Sequence, residues 1–363
     1  MSLLEVRPAG VLDRLAEHAE ALGELAGAHD ARADGSFPSA AWDLLVDAGV
    51  TRATTSPLSF TRELDLVRRV AALDVGLGRL LDGHLSVVQR LVVQVDDEAL
   101  VATELNGVRA GHLRLGVWGT DPGPGEGPPA HLRRDADGLV VHGVKTFCTG
   151  AGGLHRAFVL VRGEGDATPD RLAYVDLEQA WVDRHWFRGV GLRSSAAHRV
   201  DFSGARVLWL AKDPGALTRQ PWSARDALRT AATWAGGADA AVASLVGVLR
   251  AEGADGDLQA LAVGRARTAQ RTIDLWLAAG GEALGDDPTA PDLADLAAQL
   301  RYAVAEATRT ILDEAGRACG SRPFATGGSL ERGHRDLETS LLQDRLEPIL
   351  VRAGRRALQD AAS

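Results

Sequence analysis

Leu139–Ala151, LVVHGVKTFCTGA, is the stretch of this chain best suited to meeting a cofactor. It reads as two short β-segments turning at Gly143. The second ends in Thr149, Gly150 and Ala151, small residues that let a flat ligand lie close to the backbone. Any cofactor of this protein is expected to touch this segment. Cys148 follows Phe147 in the strand alternation and is expected to be buried rather than nucleophilic. The ten histidines show no metal-ligand spacing. His131 and His142 fall on different strands, and His334 sits in a charged helix. No metal site is expected.

The elements that hold this segment in place follow from periodicity. Val11, Leu12, Leu15, Ala19, Leu22 and Leu25 recur every three to four residues, which predicts a first amphipathic helix. Pro38 opens a second helix carrying Trp42, Leu45 and Val46. Phe60–Leu81 predicts a third, Gly83 and His84 a turn, and His84–Val95 a fourth. The acidic start of Asp96–Leu105 suits a helix entry. From His112 the period changes to that of strands. Asp121–Pro129 is a loop on composition. Strands are expected at His131–Arg134, Leu139–Val141, Thr146–Thr149, Ala157–Arg162, Leu172–Asp176, Trp181–Phe187, His198–Phe202 and Arg206–Leu210. Trp181, Trp186 and Trp209 read as strand core, with the wall of a substrate pocket as the alternative. Four long helices follow: Leu228–Arg250, Leu258–Leu284, Leu293–Cys319 and Glu331–Gln359.

The expected architecture is α+β and multidomain. Residues 1–110 form an N-terminal helical domain, 111–215 a central antiparallel β-barrel or sandwich, and 216–363 a C-terminal four-helix bundle. Composition limits the function. The chain has 363 residues and a formal net charge of −9, which argues against nucleic acid as a main partner. Its two cysteines cannot build a disulfide framework and suit a reducing cytoplasm. The first residues do not resemble a signal peptide. No run of about 18 apolar residues occurs, so no membrane span is expected.

Five segments, in order along the chain, resemble those of the acyl-CoA dehydrogenase superfamily. Ala71–Gly78 followed by His84 resembles the family's "LA..D.s.g......H" helical segment. Gly119–Gly125 resembles its "TEPgaGSD" loop. Gly143–Ala151 is similar to "GeKwfiTna". Gly189–Ser195 resembles "kmGlrgS", and Leu330–Asp336 resembles "leR..RD" in the last helix pair. The resemblance implies a flavoprotein of that fold, with FAD as cofactor.

It also implies site residues. Phe147 stands where the family places an aromatic beside the flavin ring. Thr149, with Gly150 next to it, stands at the N5/O4 edge, and Thr120 with the backbone of Gly119 at the pyrimidine edge. For the adenine and pyrophosphate end, Arg250 and Gln259 fall near the family's Arg and Gln. Gly320 matches the first Gly of its "GG.G" turn, with Ser321 and Pro323 replacing the others. Arg317 replaces the usual Gln, and a guanidinium suits a pyrophosphate.

The implied chemistry divides into two branches. A dehydrogenase acting on the CH–CH group of an acyl thioester needs a carboxylate base, and counting from Asp336 places it at Asp344. The context Leu342-Gln343-Asp344-Arg345 departs from the family's "YeGT". Glu126 and Gly127 replace the usual Ser-Asp of acyl-CoA binders, and a carboxylate there disfavours a CoA phosphate. Arg335–Gly354 is more similar to the helix of the flavin-dependent, dibenzothiophene-monooxygenase-like branch. Those enzymes take reduced FMN or FAD from a separate reductase. The branch's His corresponds to Gln343, which hydrogen-bonds but is neither acid nor base. A degenerate, non-catalytic family member is the third reading. Family membership further implies a homodimer or homotetramer, a small-molecule substrate, and an electron-accepting flavoprotein or a flavin reductase as partner.

Overall fold

In the computed structural model the period of Phe60–Leu81 resolves into two helices. α1 (Pro8–Glu17), α2 (Ala19–Arg32) and α3 (Ser39–Asp47) precede α4 (Phe60–Leu73), α5 (Val75–Gln94) and α6 (Glu98–Arg109). The structure describes residues 8–55, 58–136, 138–163, 170–285, 293–325, 327–328, 330–343 and 346–360. Asp74 is extended (φ −161°, ψ 124°), and its Oδ1 accepts the Leu77 N–H at 2.8 Å, so a cap separates α4 from α5. The turn expected at Gly83 and His84 lies inside α5 instead. There the fully buried His84 joins two segments distant in sequence. Its Nε2 lies 3.0 Å from Thr51 O, and its Nδ1 accepts the Leu115 N–H at 3.2 Å. Burial lowers its pKa to about 4, so the ring is neutral, with the proton on Nε2 facing the carbonyl. Asp97 caps α6 through the Leu100 N–H, as the acidic entry implied.

Nine strands follow: β1 (Leu115–Trp118), β2 (His131–Arg134), β3 (Leu139–His142), β4 (Val144–Cys148), β5 (Arg156–Val161), β6 (Arg171–Asp176), β7 (Trp181–Asp183), β8 (His198–Asp201) and β9 (Ala205–Leu210). They form one sheet ordered β1-β5-β6-β9-β3-β2 and a second ordered β4-β8-β7. The expected sandwich is present, but among the described residues the sheets do not close into a barrel. The expected antiparallel pairing also fails at one place, because β1 pairs with β5 in parallel. Val141, Val159, Val175, Val200 and Phe202 from both sheets share one buried core with Trp118. The strand expected over Trp181–Phe187 stops at Asp183, and Trp181, expected in the core, is 57% exposed on the edge strand β7. His131 and His142, on separate strands, turn out to be cross-strand neighbours. Among the described residues no group of three or more His, Cys, Asp or Glu could hold a metal ion.

The remaining helices are α7 (Trp222–Glu252), α8 (Asp257–Ala283), α9 (Leu293–Cys319), α10 (Glu331–Leu341) and α11 (Glu347–Asp360). The last two replace the single helix expected over Glu331–Gln359. Pro348 fixes the start of α11, where its missing N–H costs nothing, and it could not sit within a continuous helix. By proximity the chain falls into two compact units. One comprises Met1–Leu58, Arg79–Arg188 and Arg193–Arg219; the other comprises Ser59–Gly78, Gly189–Leu192 and Gln220–Ser363. In the second unit α4 packs along α7 and α8. Arg68 bridges Asp239 at 2.6 Å and Asp274 at 2.8 Å. Gly236 permits the approach, since a Cβ there would lie 2.1 Å from Arg68 O. α7 is long and apolar enough to cross a membrane by length and composition, but 61% of its apolar window is buried within the protein, as expected of a bundle's central helix.

Candidate functional site

β4 is irregular at the place that matters. Its pairing with β8 shifts register between Lys145 and Cys148. Within that bulge Phe147 takes a left-handed conformation, φ 52°, and its side chain is 50% exposed. An L-residue with a side chain held there costs about 1–2 kcal/mol, and such outliers concentrate at functional sites. The bulge turns Phe147 outward while Cys148 stays fully buried. Burial pushes the Cys148 thiol well above its ordinary range, consistent with the inert role expected of it.

Two aromatic rings frame Phe147. Trp186 meets it edge to face, with centroids 4.8 Å apart, and Phe187 lies at 6.0 Å. Neither Trp186 nor Phe187 belongs to a strand core; both are half-buried beside the ledge. Glu126 fixes the indole. Its Oε1 accepts the Trp186 Nε1–H at 2.9 Å and its Oε2 the Gly123 N–H at 2.6 Å. One carboxylate therefore ties the glycine-rich loop to the aromatic cluster.

The loop before it is clasped to β4. Lys145, only 2% exposed, donates from Nζ to Gly119 O at 3.1 Å and to Asp121 Oδ1 at 2.6 Å. The Asp121 carboxyl is opposed by its partial burial, but Lys145 and then Arg162 outweigh this and hold it below its ordinary pKa. The Thr146 N–H donates to Thr120 O at 3.1 Å, and Thr146 Oγ1 donates to Asp121 O at 3.1 Å. At the other end of β4 the Trp118 indole N–H donates to Thr149 O at 2.9 Å, and the Gly150 N–H to Ser195 O at 2.8 Å. Gly150 needs its glycine, with φ 80° and Leu154 carbons 2.9 Å from any added Cβ.

Gly119, Thr120, Phe147, Thr149 and Gly150 thus meet on one ledge, with Gly119, Thr120 and Phe147 exposed and Thr149 half-buried. The motif around Phe147 contains Lys145 without marking a role for it, and nothing local in the sequence ties Glu126 to Trp186, 60 residues away. Lys145 is one of only two lysines in the chain, a signal that could have marked it.

The remaining candidates belong to the second unit. Arg250 and Gln259 flank the α7–α8 connection, and Arg317 and Gly320 end α9. Cys319 Sγ lies 4.0 Å from Leu245 O, so the end of α9 meets the last turns of α7. All four are at the surface or half-buried, and Arg317 is paired with Asp313 at 2.7 Å. Gln343 is exposed, its backbone N–H on Ser340 O. Asp344 lies outside the described residues. The Arg335-Asp336 pair has a structural task. Buried Asp336 accepts the Leu192 N–H at 2.6 Å, and Arg335 Nη1 donates to Val190 O at 2.7 Å, pinning residues 189–192 to α10.

No family profile matches the chain, and no curated protein matches it. Solved structures do. KijD3, in complex with FMN and dTDP-3-amino-2,3,6-trideoxy-4-keto-3-methyl-D-glucose, superposes with a TM-score of 0.82 at 22% identity, over 98% of this chain and 96% of that one. This is the acyl-CoA dehydrogenase fold. Methanesulfinate monooxygenase MsuC from Pseudomonas fluorescens shares the fold with a TM-score of 0.81 at 19% identity, over 98% of both chains. Dibenzothiophene monooxygenase TdsC from Paenibacillus sp. A11-2 does so at 0.78 and 19%, over 96% of this chain and 97% of that one. KijD3 and TdsC have both been solved with FMN bound, and TdsC is a dibenzothiophene monooxygenase. At such identities the likeness establishes the fold.

Proposed function

We propose that this protein is a flavin-dependent monooxygenase that accepts reduced flavin, FMN in the first instance, from a separate reductase. The observation that carries the reading is the ledge at Phe147. A strained, half-exposed aromatic with a clamped loop and a strand end around it fits a flat ring with a polar rim. Phe147 would lie against the ring face, half-buried Thr149 at one polar edge with Gly150 behind it, and Thr120 with Gly119 at the other. Trp186 and Phe187 would exclude water from the apolar side. A bound reduced flavin supplies two electrons to dioxygen, one oxygen atom passing to the substrate and the other leaving as water.

FMN is favoured over FAD by two observations. Solved neighbours of this fold carry FMN. Arg317, the residue implied at the pyrophosphate, is 66% exposed and already paired with Asp313. Acyl-thioester dehydrogenation is the second reading. It keeps Asp344 as base and FAD as cofactor, with Arg250, Gln259, Arg317 and Gly320 at the adenine end, but the context Leu342-Gln343-Asp344-Arg345 departs from the family's around its base, and Glu126 stands where acyl-CoA binders carry Ser. A homodimer or homotetramer belongs to either reading.

The experiment mixes protein and oxidised FAD with a panel of acyl-CoA thioesters in the absence of oxygen, and in parallel offers reduced FMN with oxygen and candidate small molecules. Oxygen-dependent product formation without flavin bleaching by thioesters is the expected result. Bleaching by an acyl-CoA would restore the dehydrogenase reading. Failure to bind either flavin would leave a non-catalytic scaffold.

A further inference from the structure

The two sheets of the first unit leave a cleft of about 390 Å³ between them. Trp118, Leu154, Leu177, Trp181 and Val182 supply its apolar lining, and Ala180 and Gly152 leave it room. The volume falls within the range of small-molecule pockets, about 300–1,000 Å³. The lining is uneven in a way that selects a ligand. Two indoles face the space, one buried at 3% exposure and the other 57% exposed. Arg184 is the one charged residue in the lining, and no carboxylate joins it.

Arg184 forms no ion pair among the described residues. Its guanidinium lies over Gly152, where an added Cβ would sit 3.2 Å from both Nε and Nη2. Gly152 has φ 82°, a conformation that favours glycine, and the guanidinium packs directly against it. The neighbouring Asp183 is turned elsewhere, its Oδ1 accepting the His185 N–H at 3.0 Å.

We propose that this cleft is a second small-molecule site, separate from the Phe147 ledge, which takes a flat aromatic carboxylate of one or two rings. The rings rest against Trp118 and Trp181, and the carboxylate meets Arg184 in a charge-assisted, bidentate contact. The apolar walls disfavour an inorganic anion, which would gain nothing from the indoles. The single cation, with no carboxylate in the lining, favours an anionic ring over a neutral or cationic one. The site needs neither flavin nor the second unit's residues, so it stands or falls apart from the monooxygenase reading.

The test is calorimetric titration of 2-naphthoate into the flavin-free, full-length protein. One saturable equivalent is expected. The neutral analogue 2-naphthalenemethanol and the Arg184→Gln variant should each bind about tenfold more weakly, the loss of roughly 1.4 kcal/mol expected of a partly exposed charged contact. Ala180→Trp fills the cleft and should abolish binding; should it fail to fold, Arg184→Gln and the neutral analogue still decide. Phe147→Ala should bind 2-naphthoate as the wild type does. Equal affinity of acid and alcohol, undiminished binding by Arg184→Gln or by folded Ala180→Trp, loss of binding in Phe147→Ala, or no binding at millimolar concentration would each overturn the proposal.

Discussion

Phe147 and Trp186 stand edge to face, their centroids 4.8 Å apart and their planes at 85°. The contact joins a residue in a β-bulge to one beyond the end of β7, and it sets the orientation of the ring proposed to hold flavin. Edge-to-face pairs add about 0.5–1.5 kcal/mol beyond their area, comparable to the cost of the left-handed backbone at Phe147.

That balance is measurable. Phe147→Ala and Phe147→Gly both remove the ring contacts, but only glycine relieves the φ of 52°. Phe147→Gly should be the more stable of the two by about 1 kcal/mol in urea denaturation. Equal stabilities would mean that no strain is held there.

Glu126 should act as the anchor of Trp186. Glu126→Ala leaves the indole N–H and the Gly123 N–H without their carboxylate and should cost about 1–2 kcal/mol. The near-UV circular dichroism of tryptophan should weaken, and reduced-flavin affinity should fall several-fold. Glu126→Gln keeps one acceptor oxygen and should lie between. An unchanged tryptophan signal in Glu126→Ala would show that the indole is held by packing alone.

His84 predicts a particular acid sensitivity. Its folded pKa, about 4, lies below the ordinary value of 6.5, so the unfolded chain takes up the proton first. The stability it confers is complete above pH 6.5 and is lost as the pH falls from 6.5 towards 4. At about 1.36 kcal/mol per pH unit the loss approaches roughly 3 kcal/mol across the window. Denaturation of wild type and His84→Gln at pH 7.5 and 5 tests this. The difference between the two proteins should shrink at pH 5, and a constant difference would contradict the account.

Asp336 should matter for folding. Asp336→Ala removes the acceptor of the Leu192 N–H and should destabilise by about 2–3 kcal/mol, whereas Asp336→Asn retains an acceptor and should cost less. Thermal unfolding of the two variants distinguishes this task from a passive surface role.

Much of the fold is legible in the sequence because helical and strand periods are local. α7, α8 and α9 fall within a few residues of their expected bounds, and Thr149-Gly150-Ala151 marks the strand end. The errors arise where a distant partner decides. Gly83 and His84 look like a turn until the Thr51 carbonyl and Leu115 amide are brought to the imidazole. Trp181 looks like core because nothing local shows that β7 is an edge. The ordered motifs name Gly119, Thr120, Phe147, Thr149 and Gly150, which lie around β4 and the loop clasped to it. The features that shape the ledge, the outward Phe147 and the bond from Trp186 to Glu126, depend on a register shift and a contact 60 residues apart in sequence.

The central claim is that the Phe147 ledge holds a reduced flavin ring. Anaerobic titration of reduced FMN into wild type and Phe147→Ala, followed by flavin fluorescence, tests it most directly. The account predicts saturable binding by the wild type, tighter than for oxidised FMN, and at least about a tenfold loss in Phe147→Ala, equivalent to one aromatic contact of roughly 1.4 kcal/mol. Identical affinities in the two proteins, or no binding by the wild type, would contradict it.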